Sequence, residues 1–509
     1  MVSICILNWN CLDTLEISIK QILEIKDLEF EVIVFDQNSC DGSPDFLRNI
    51  KDPKVKAILN DHNCGNSISR NQMIKNARFK YVILLDSDIV PIPGSIEKMV
   101  ASMEDNPQFS ILGYDFHSYS NDWSKVTKEE KEISNIEIWQ YKIALTQYGI
   151  FKKSVLEEVP FPEFYPFNIP GWGAEDDMVG SAIHHAKLGT CGIIKGRVYF
   201  HNKSSSKPNL GKDNFLRTYI SRFNYLMYFN LLNANQKIEA LKTQKLPTTT
   251  LRCNKYHWDI QNNLGDIATD ILFKMHFPFF EFDKNEKNNL LMFGGTIFNH
   301  IENANKLYDA DFKNILYFGV GVSQLYEIES AMKTIKENNI SFTMIPRGPK
   351  TKMQLMQKFI NTEEPCGDVL QLCSSLPIVK HNLEDPELLV EDVYHPNLIA
   401  PKSNNYKTIK VANNNKSLDV PFYGFNEFID VLNNHSRVYS SQVHPFLISA
   451  LLGKPCVLHP KDWRARDFTY FSSFKPHMDL ENCYSLREEA QNNIQRFSIS
   501  LFNNLKRFL

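Results

Sequence analysis

The chain has 509 residues, 43% of them hydrophobic and 23% charged, with a formal net charge of −3. That length exceeds what one ordinary core organises, so two or more domains are expected. The near-neutral balance excludes the broad basic surface of a nucleic-acid binder, so any polyphosphate substrate must be met by a local device such as a metal ion.

The ten cysteines are scattered, with no C-x-x-C pair, which argues against a zinc site and against a disulfide framework. Met1 runs straight into Val2-Ser3-Ile4-Cys5-Ile6-Leu7, without a basic segment or a small-residue cleavage site, and reads as a first strand rather than a signal peptide. No apolar run approaches the roughly 18 residues that a membrane span requires. A cytoplasmic protein with no membrane span is expected.

In chain order, residues 2–7, 31–36 and 81–86 are short Val/Ile/Leu-rich runs that end in polar residues. Between them, Thr14–Ile25 and Ser67–Asn76 carry apolar residues at helical spacing. Strands alternating with helices predict an α/β domain with a largely parallel sheet, whose ligand site lies at the carboxyl ends of the strands. Residues 213–232 read as a helix with aromatic faces, and the polar stretch 236–255 as a linker. A second α/β pattern follows, with strands at 290–293, 315–320, 341–345, 437–440 and 455–458 and helices at 323–337, 351–360 and 444–452. The amphipathic stretch Ser485–Leu509 has a mixed-charge polar face and is expected to pack on its own domain.

The chemistry of the first half sits at its strand ends. Asp86-Ser87-Asp88 follows Tyr81–Leu85, and two carboxylates two residues apart can turn toward one hard cation that bridges to phosphates. Leu7-Asn8-Trp9-Asn10 ends the first strand, and Phe35-Asp36-Gln37-Asn38-Ser39-Cys40-Asp41-Gly42-Ser43 ends the second. Asn63-Cys64-Gly65-Asn66 precedes a helix that carries Arg70-Asn71. This ordered set, over residues 1–205, resembles the family 2 glycosyltransferases of the GT-A fold. The resemblance implies a nucleotide-sugar donor, with Asp36 on base or ribose and Leu7, Asn8, Asn38 and Asp41 shaping that pocket. Arg70 would brace the pocket. Asp88 would be the principal ligand of Mn or Mg, Asp86 would serve ribose or metal, and His201 would complete the metal site.

Gly171-Trp172-Gly173-Ala174-Glu175-Asp176-Asp177 is the next constellation. An inverting transfer needs a carboxylate to deprotonate the acceptor hydroxyl. Acids at a helix start are also favoured by the macrodipole, which leaves the flanking glycines unexplained. By the same resemblance Asp176 matches the base, with Asp177 its rival, and Trp172 would stack on a sugar of the glycan acceptor.

The second half holds Asn262-Asn263-Leu264-Gly265-Asp266, Phe293-Gly294-Gly295-Thr296, Phe318-Gly319-Val320-Gly321, Pro346-Arg347-Gly348-Pro349-Lys350-Thr351, Gly367-Asp368-Val369-Leu370 and Ser440-Ser441-Gln442-Val443-His444-Pro445. Glycines after strands permit tight turns and close approach to a ligand. The series looks like the polysaccharide pyruvyltransferases, whose fold is two Rossmann-like halves similar to GT-B. That likeness implies phosphoenolpyruvate as donor, bound by Arg347 and His444, with Asp266 at the reacting centre. Gln442 stands where that family carries Arg, and a neutral amide cannot clamp a carboxylate as a guanidinium does. Arg464 or Arg466 could restore the charge.

The expected architecture is α/β throughout: a GT-A domain over 1–235, a linker over 236–255 and a GT-B-like double Rossmann domain over 256–509. The expected function is bifunctional polysaccharide assembly, by inverting sugar transfer and pyruvyl transfer. The alternatives are a single glycosyltransferase with a glycan-binding or assembly module, or a second glycosyltransferase.

Overall fold

The computed structural model describes the chain apart from residues 115–136, 142–146, 172, 196–198, 202–211, 257–263, 296, 323, 392–404, 411–424 and 459–470. Two units are present, Met1–Pro247 and Thr248–Leu509.

Unit 1 opens with β1 (Val2–Asn8), α1 (Leu12–Leu23), β2 (Phe30–Asp36), α2 (Ser43–Asn49), β3 (Val55–Leu59), α3 (Asn66–Asn76) and β4 (Tyr81–Asp86). It continues with β5 (Ile89–Pro91), α4 (Ser95–Asp105), β6 (Phe109–Tyr114), β7 (Glu137–Tyr141), β8 (Tyr148–Lys152) and α5 (Lys153–Glu158). Last come α6 (Glu175–His185), β9 (Thr190–Lys195), β10 (Tyr199–His201), α7 (Lys212–Phe229) and α8 (Ala234–Thr243). All seven residues of β1 are buried, as a strand covered on both faces requires. On α1 the buried Leu15, Ile19 and Ile22 recur at helical spacing and join the same core as Ile4, Val32 and Ile83.

The main sheet runs β3-β2-β1-β4-β8-β6-β9-β7, with β1, β2, β3 and β4 parallel. The chain moves outward from β1 through β2 to β3, then returns across α3 to place β4 on the other side of β1. That reversal makes the gap between β1 and β4 a topological switch point, at whose carboxyl ends open α/β sheets take ligands.

The stretch 236–255, read from the sequence as a linker, is structured. Asn233 and Gln236 form a capping box that starts α8, so polar residues here are helix signals. The Gln244 side chain then donates to the Phe161 carbonyl at 3.1 Å, tying this stretch to unit 1. Thr249–Leu251 belongs to unit 2 and pairs with Phe280–Phe282.

Unit 2 comprises β11 (Thr249–Leu251), β12 (Asn254–Tyr256), α9 (Leu264–His276), β13 (Phe280–Phe282), β14 (Asn289–Phe293), α10 (Ile301–Tyr308) and β15 (Asn314–Val320). Then follow α11 (Leu325–Glu337), β16 (Ser341–Pro346), α12 (Pro349–Gln357), β17 (Glu387–Glu391), β18 (Tyr406–Lys410) and α13 (Phe425–Asn433). The unit closes with β19 (Val438–Ser440), α14 (Val443–Leu451), β20 (Cys456–Leu458), β21 (His477–Met478) and α15 (Leu480–Leu505). Among the described residues it holds the two-stranded β11-β13 sheet and two larger open sheets: β12-β14-β15-β16, all parallel, and β18-β17-β19-β20-β21, parallel except for its last strand. The terminal α15 packs on its own unit, as its amphipathic pattern predicts. Leu486, Ala490, Ile494, Phe497 and Leu501 are buried along one face, and Arg487 donates to the Leu451 carbonyl at 2.7 Å.

Candidate functional site

In unit 1 the parallel register sets Asn8 opposite Asp36 and Leu7 opposite Asp86. Three strand ends therefore deliver their polar residues side by side. The Leu7 carbonyl accepts from the Ser87 amide at 3.1 Å, which holds the Asp86-Ser87-Asp88 turn against β1. Asn8 Nδ2 donates to Asp36 Oδ2 at 2.7 Å, and Asp36 Oδ1 accepts from the Ser39 amide at 3.0 Å. Asn38 stands exposed in the loop beyond, with φ +60°.

Asp41 ties two helix starts together behind the second strand end's loop. Its carboxylate accepts from the Leu12 amide at 2.8 Å and from the Ser43 hydroxyl at 2.6 Å, joining the first turn of α1 to that of α2. Burial alone would raise its pKa, but these hydrogen bonds hold it below its ordinary value. Asn8 Oδ1 and Gln37 Oε1 are buried and make no hydrogen bond among the described residues. An unmade bond of this kind costs about 1–3 kcal/mol, so a bound N–H or O–H donor would recover free energy there.

Arg70 is 3% exposed on α3. Its guanidinium lies 3.6 Å from Asp86, 3.4 Å from Asp176 and 3.2 Å from Glu175. It stands in an acid cluster between the end of β4 and the start of α6, rather than against Asp36. Burial pulls its pKa down, yet the charges of Asp176, Asp86 and Glu175 outweigh that and raise it, so it stays a fixed cation. Gly65, ahead of α3, has φ +83°, and a Cβ there would meet the Ile169 carbonyl oxygen at 2.7 Å. That close approach sets Arg70 beside α6.

The acids of α6 occupy its first turn, where the helix dipole favours negative charge. Glu175 is 3% exposed, whereas the Asp176 side chain is 28% exposed and so can meet a substrate. Burial and then Glu175 push the Asp177 carboxyl above its ordinary value. Glu175 and Arg222 were not singled out from the sequence. Arg222 lies within a run read only as an aromatic helix, and a buried arginine has no sequence signal of its own.

For a divalent metal, the chemistry of the donor set fits: Asp86 and Asp88 offer hard oxygens at one strand end, and Mg or Mn keeps several waters or phosphate oxygens besides. Strand β10 pairs position 201 with Ile89, next to Asp88, while the His201 side chain lies outside the described residues. Among the described residues no group of three or more His, Cys, Asp or Glu side chains is placed to hold a metal ion. Trp172 is likewise outside the described residues.

In unit 2, four of the glycine- and arginine-bearing strings meet at the carboxyl ends of β14, β15 and β16. Gly321 N donates to the Gly295 carbonyl at 2.8 Å, and Arg347 N to the Val320 carbonyl at 3.1 Å. A Cβ on Gly321 would lie 2.5 Å from Arg347 Nη2, so only glycine leaves room for that arginine. Arg347 is 1% exposed and pairs with Asp368 at 3.5 Å. Asp266 lies in the first turn of α9, its side chain outside the described residues. His444 is buried in the first turn of α14, directly after Gln442, whose Oε1 is buried with no hydrogen bond among the described residues. Arg464 and Arg466 lie outside the described residues.

Fold and site together make unit 1 an open α/β domain with an acid-rich crevice at its topological switch point. Residues 3–160 match the sequence profile of glycosyl transferase family 2, so the N-terminal region carries a domain of that family. The chain is 31% identical over 121 residues to an Escherichia coli UDP-Glc:alpha-D-GlcNAc-diphosphoundecaprenol beta-1,3-glucosyltransferase, WfaP, covering 24% of this chain and 45% of that protein. It is 29% identical over 117 residues to the putative teichuronic acid biosynthesis glycosyltransferase TuaG of Bacillus subtilis, covering 22% of this chain and 46% of that protein. A second E. coli beta-1,3-glucosyltransferase of that description, WfgD, is 25% identical over 258 residues, 48% of this chain and 98% of that protein. The chain thus spans about half the length of the first two relatives. No helix among the described residues is long and apolar enough to cross a membrane.

Proposed function

We propose that unit 1 transfers a sugar from a nucleotide-sugar donor to a glycan acceptor with inversion at the anomeric carbon, as a step of polysaccharide assembly. The observation that carries this reading is the joining of Asp86 and Asp176 through one buried arginine at the switch-point crevice. Asp36, Asn8 and the open acceptors Asn8 Oδ1 and Gln37 Oε1 bind the nucleoside. Asp86 and Asp88 would hold Mn or Mg, which when bound would supply positive charge for the diphosphate. Asp176 takes the proton of the acceptor hydroxyl as that oxygen bonds to the anomeric carbon, and the nucleoside diphosphate leaves with the electron pair of the broken C–O bond. Asp177, whose carboxyl burial and Glu175 push above its ordinary value, is the rival for this step. The relatives named above make UDP-glucose and a diphosphate-linked, GlcNAc-terminated lipid saccharide the first pair to assay. A screen of nucleotide sugars with Mn tests the reading by thermal shift, since a ligand of the native state raises its apparent stability. No shift and no transfer with any donor would overturn it.

A second activity is favoured by the convergence of four strings around Arg347. Unit 2 is proposed to bind phosphoenolpyruvate through Arg347 and His444 and to pyruvylate the same glycan. Phosphate release from phosphoenolpyruvate in the presence of glycan, lost in Arg347→Ala, is the expected result. Unchanged sugar transfer in Arg347→Ala and no phosphate release by wild type would instead leave unit 2 a glycan-binding or assembly module.

A further inference from the structure

Arg222, in the middle of α7, has no exposed surface. Its Nη1 donates to the Gly171 carbonyl at 2.9 Å and to Glu175 Oε2 at 3.3 Å. Its Nη2 donates to the Ile169 carbonyl at 2.9 Å and its Nε to the Pro166 carbonyl at 3.3 Å. The guanidinium also lies over the Phe167 ring, 5.1 Å from its centroid. One side chain therefore holds three carbonyls of the 166–171 segment and the first residue of α6.

That segment needs an external hold. Ala174, a residue with a Cβ, sits at φ +73° immediately before α6, a conformation that costs on the order of 1 kcal/mol and persists only where surroundings impose it. Glu175 passes the constraint onward: Oε2 faces Arg222 and Oε1 faces Arg70. Arg70 in turn sets the positions of Asp86 and Asp176. The order is Arg222, Glu175, Arg70, then the two carboxylates that face the crevice.

A buried cation is costly to desolvate, and an apolar side chain of similar volume often packs as stably. Geometry rather than stability is then what the arginine supplies. Its fork reaches several acceptors at fixed angles, which neither lysine nor methionine can do.

We propose that Arg222 is a positioning residue for sugar transfer, acting through Glu175 and Arg70 to aim Asp176 at the acceptor hydroxyl. The proposal rests on the reading of unit 1 as a glycosyltransferase. The experiment compares the full-length wild type with Arg222→Met, Arg222→Lys, Glu175→Gln and the double variant Arg222→Met/Glu175→Gln. Steady-state kinetics are measured with UDP-glucose and a GlcNAc-terminated acceptor, alongside amide hydrogen exchange of residues 166–177. A displacement of about 1 Å at the base costs about 100-fold, so kcat is expected to fall by that factor in Arg222→Met and in Glu175→Gln. Donor KM should change less than kcat, because Asp36 and Asn8 lie outside the clamp and of the donor-side residues only Asp86 is reached by it. The double variant should lose no more than either single, and Arg222→Lys should recover part of kcat. Exchange should quicken at 166–177 while β1 and β4 stay protected.

An unchanged kcat, a loss confined to donor KM, or losses that multiply in the double variant would each overturn the proposal. Should Arg222→Met fail to fold, the near-isosteric Glu175→Gln decides by the same criteria. Wild type that transfers no sugar from any nucleotide-sugar donor would sink the glycosyltransferase reading instead. The exchange arm then still judges the clamp, which is refuted if 166–177 is as protected in Arg222→Lys as in wild type.

Discussion

Asp86 and Asp176, ninety residues apart in the chain, share a single guanidinium: Arg70 lies 3.6 Å from the first and 3.4 Å from the second. A strand-end carboxylate suited to a metal and a helix-start carboxylate suited to a base are thereby held in one frame. Because Arg70 is buried, solvent screens these contacts less than it would a pair between fully exposed side chains.

Asp176→Asn should preserve nucleotide-sugar binding and abolish most turnover. General-base assistance contributes about 10²–10⁴-fold, and kcat should fall within that range with donor KM little changed. Asp177→Asn should lose far less. Steady-state kinetics on the two variants decide the assignment, and near-wild-type turnover in Asp176→Asn would move the base elsewhere.

Chelation should remove transfer, and Mn or Mg should restore it. Asp88→Ala should stay inactive after metal is returned, since a site built on one strand-end pair has lost half its carboxylates. Metal titration of transfer rate in wild type and variant measures this. Full activity in chelator would exclude a metal requirement.

Gly65→Ala should destabilise unit 1. The added Cβ meets the Ile169 carbonyl oxygen at 2.7 Å and must also occupy φ +83°. Together these cost on the order of 2 kcal/mol or more. Thermal melts of the variant check the figure, and an unchanged midpoint would show that the α3 start has room to relax.

Unit 2 should lose stability on acidification before its carboxylates titrate. His276 is buried against Ser375, with Nε2 at 2.7 Å from the hydroxyl, and burial lowers its pKa from 6.5 to about 4. The unfolded chain therefore binds a proton between those values that the folded chain does not. Stability is full above pH 6.5 and falls as pH drops toward 4, by up to roughly 3 kcal/mol. His276→Gln should reduce this part of the pH dependence without removing it, since burial also lowers His300 from 6.5 to about 4. Thermal midpoints across the range, for both proteins, test the sign.

Most elements were legible because their signals are local. The Val/Ile/Leu runs of β1, β2 and β4 and the helical spacing of Leu15, Ile19 and Ile22 are each contained within a few residues. The alternation of such runs also implied a parallel sheet with polar residues at its strand ends. The stretch 236–255 misled because a capping box is built from the same polar residues as a linker. Charge patterning could have flagged Glu175 beside Asp176 and Asp177, but not which of the three is turned inward.

The sequence by itself determined two α/β patterns, the strand-end Asp86-Ser87-Asp88 and the acids that open α6, because period, turn chemistry and spacing act over short distances. Only the tertiary structure decided what those acids face. Parallel pairing brings Leu7 opposite Asp86 and Asn8 opposite Asp36, and the fold carries α6 and α7 back to the same crevice. Ion pairs such as Arg70 with Asp176 and Arg222 with Glu175 span 106 and 47 residues. No local pattern encodes them. They exist because two buried cations must find carboxylates or carbonyls wherever the packed chain supplies them.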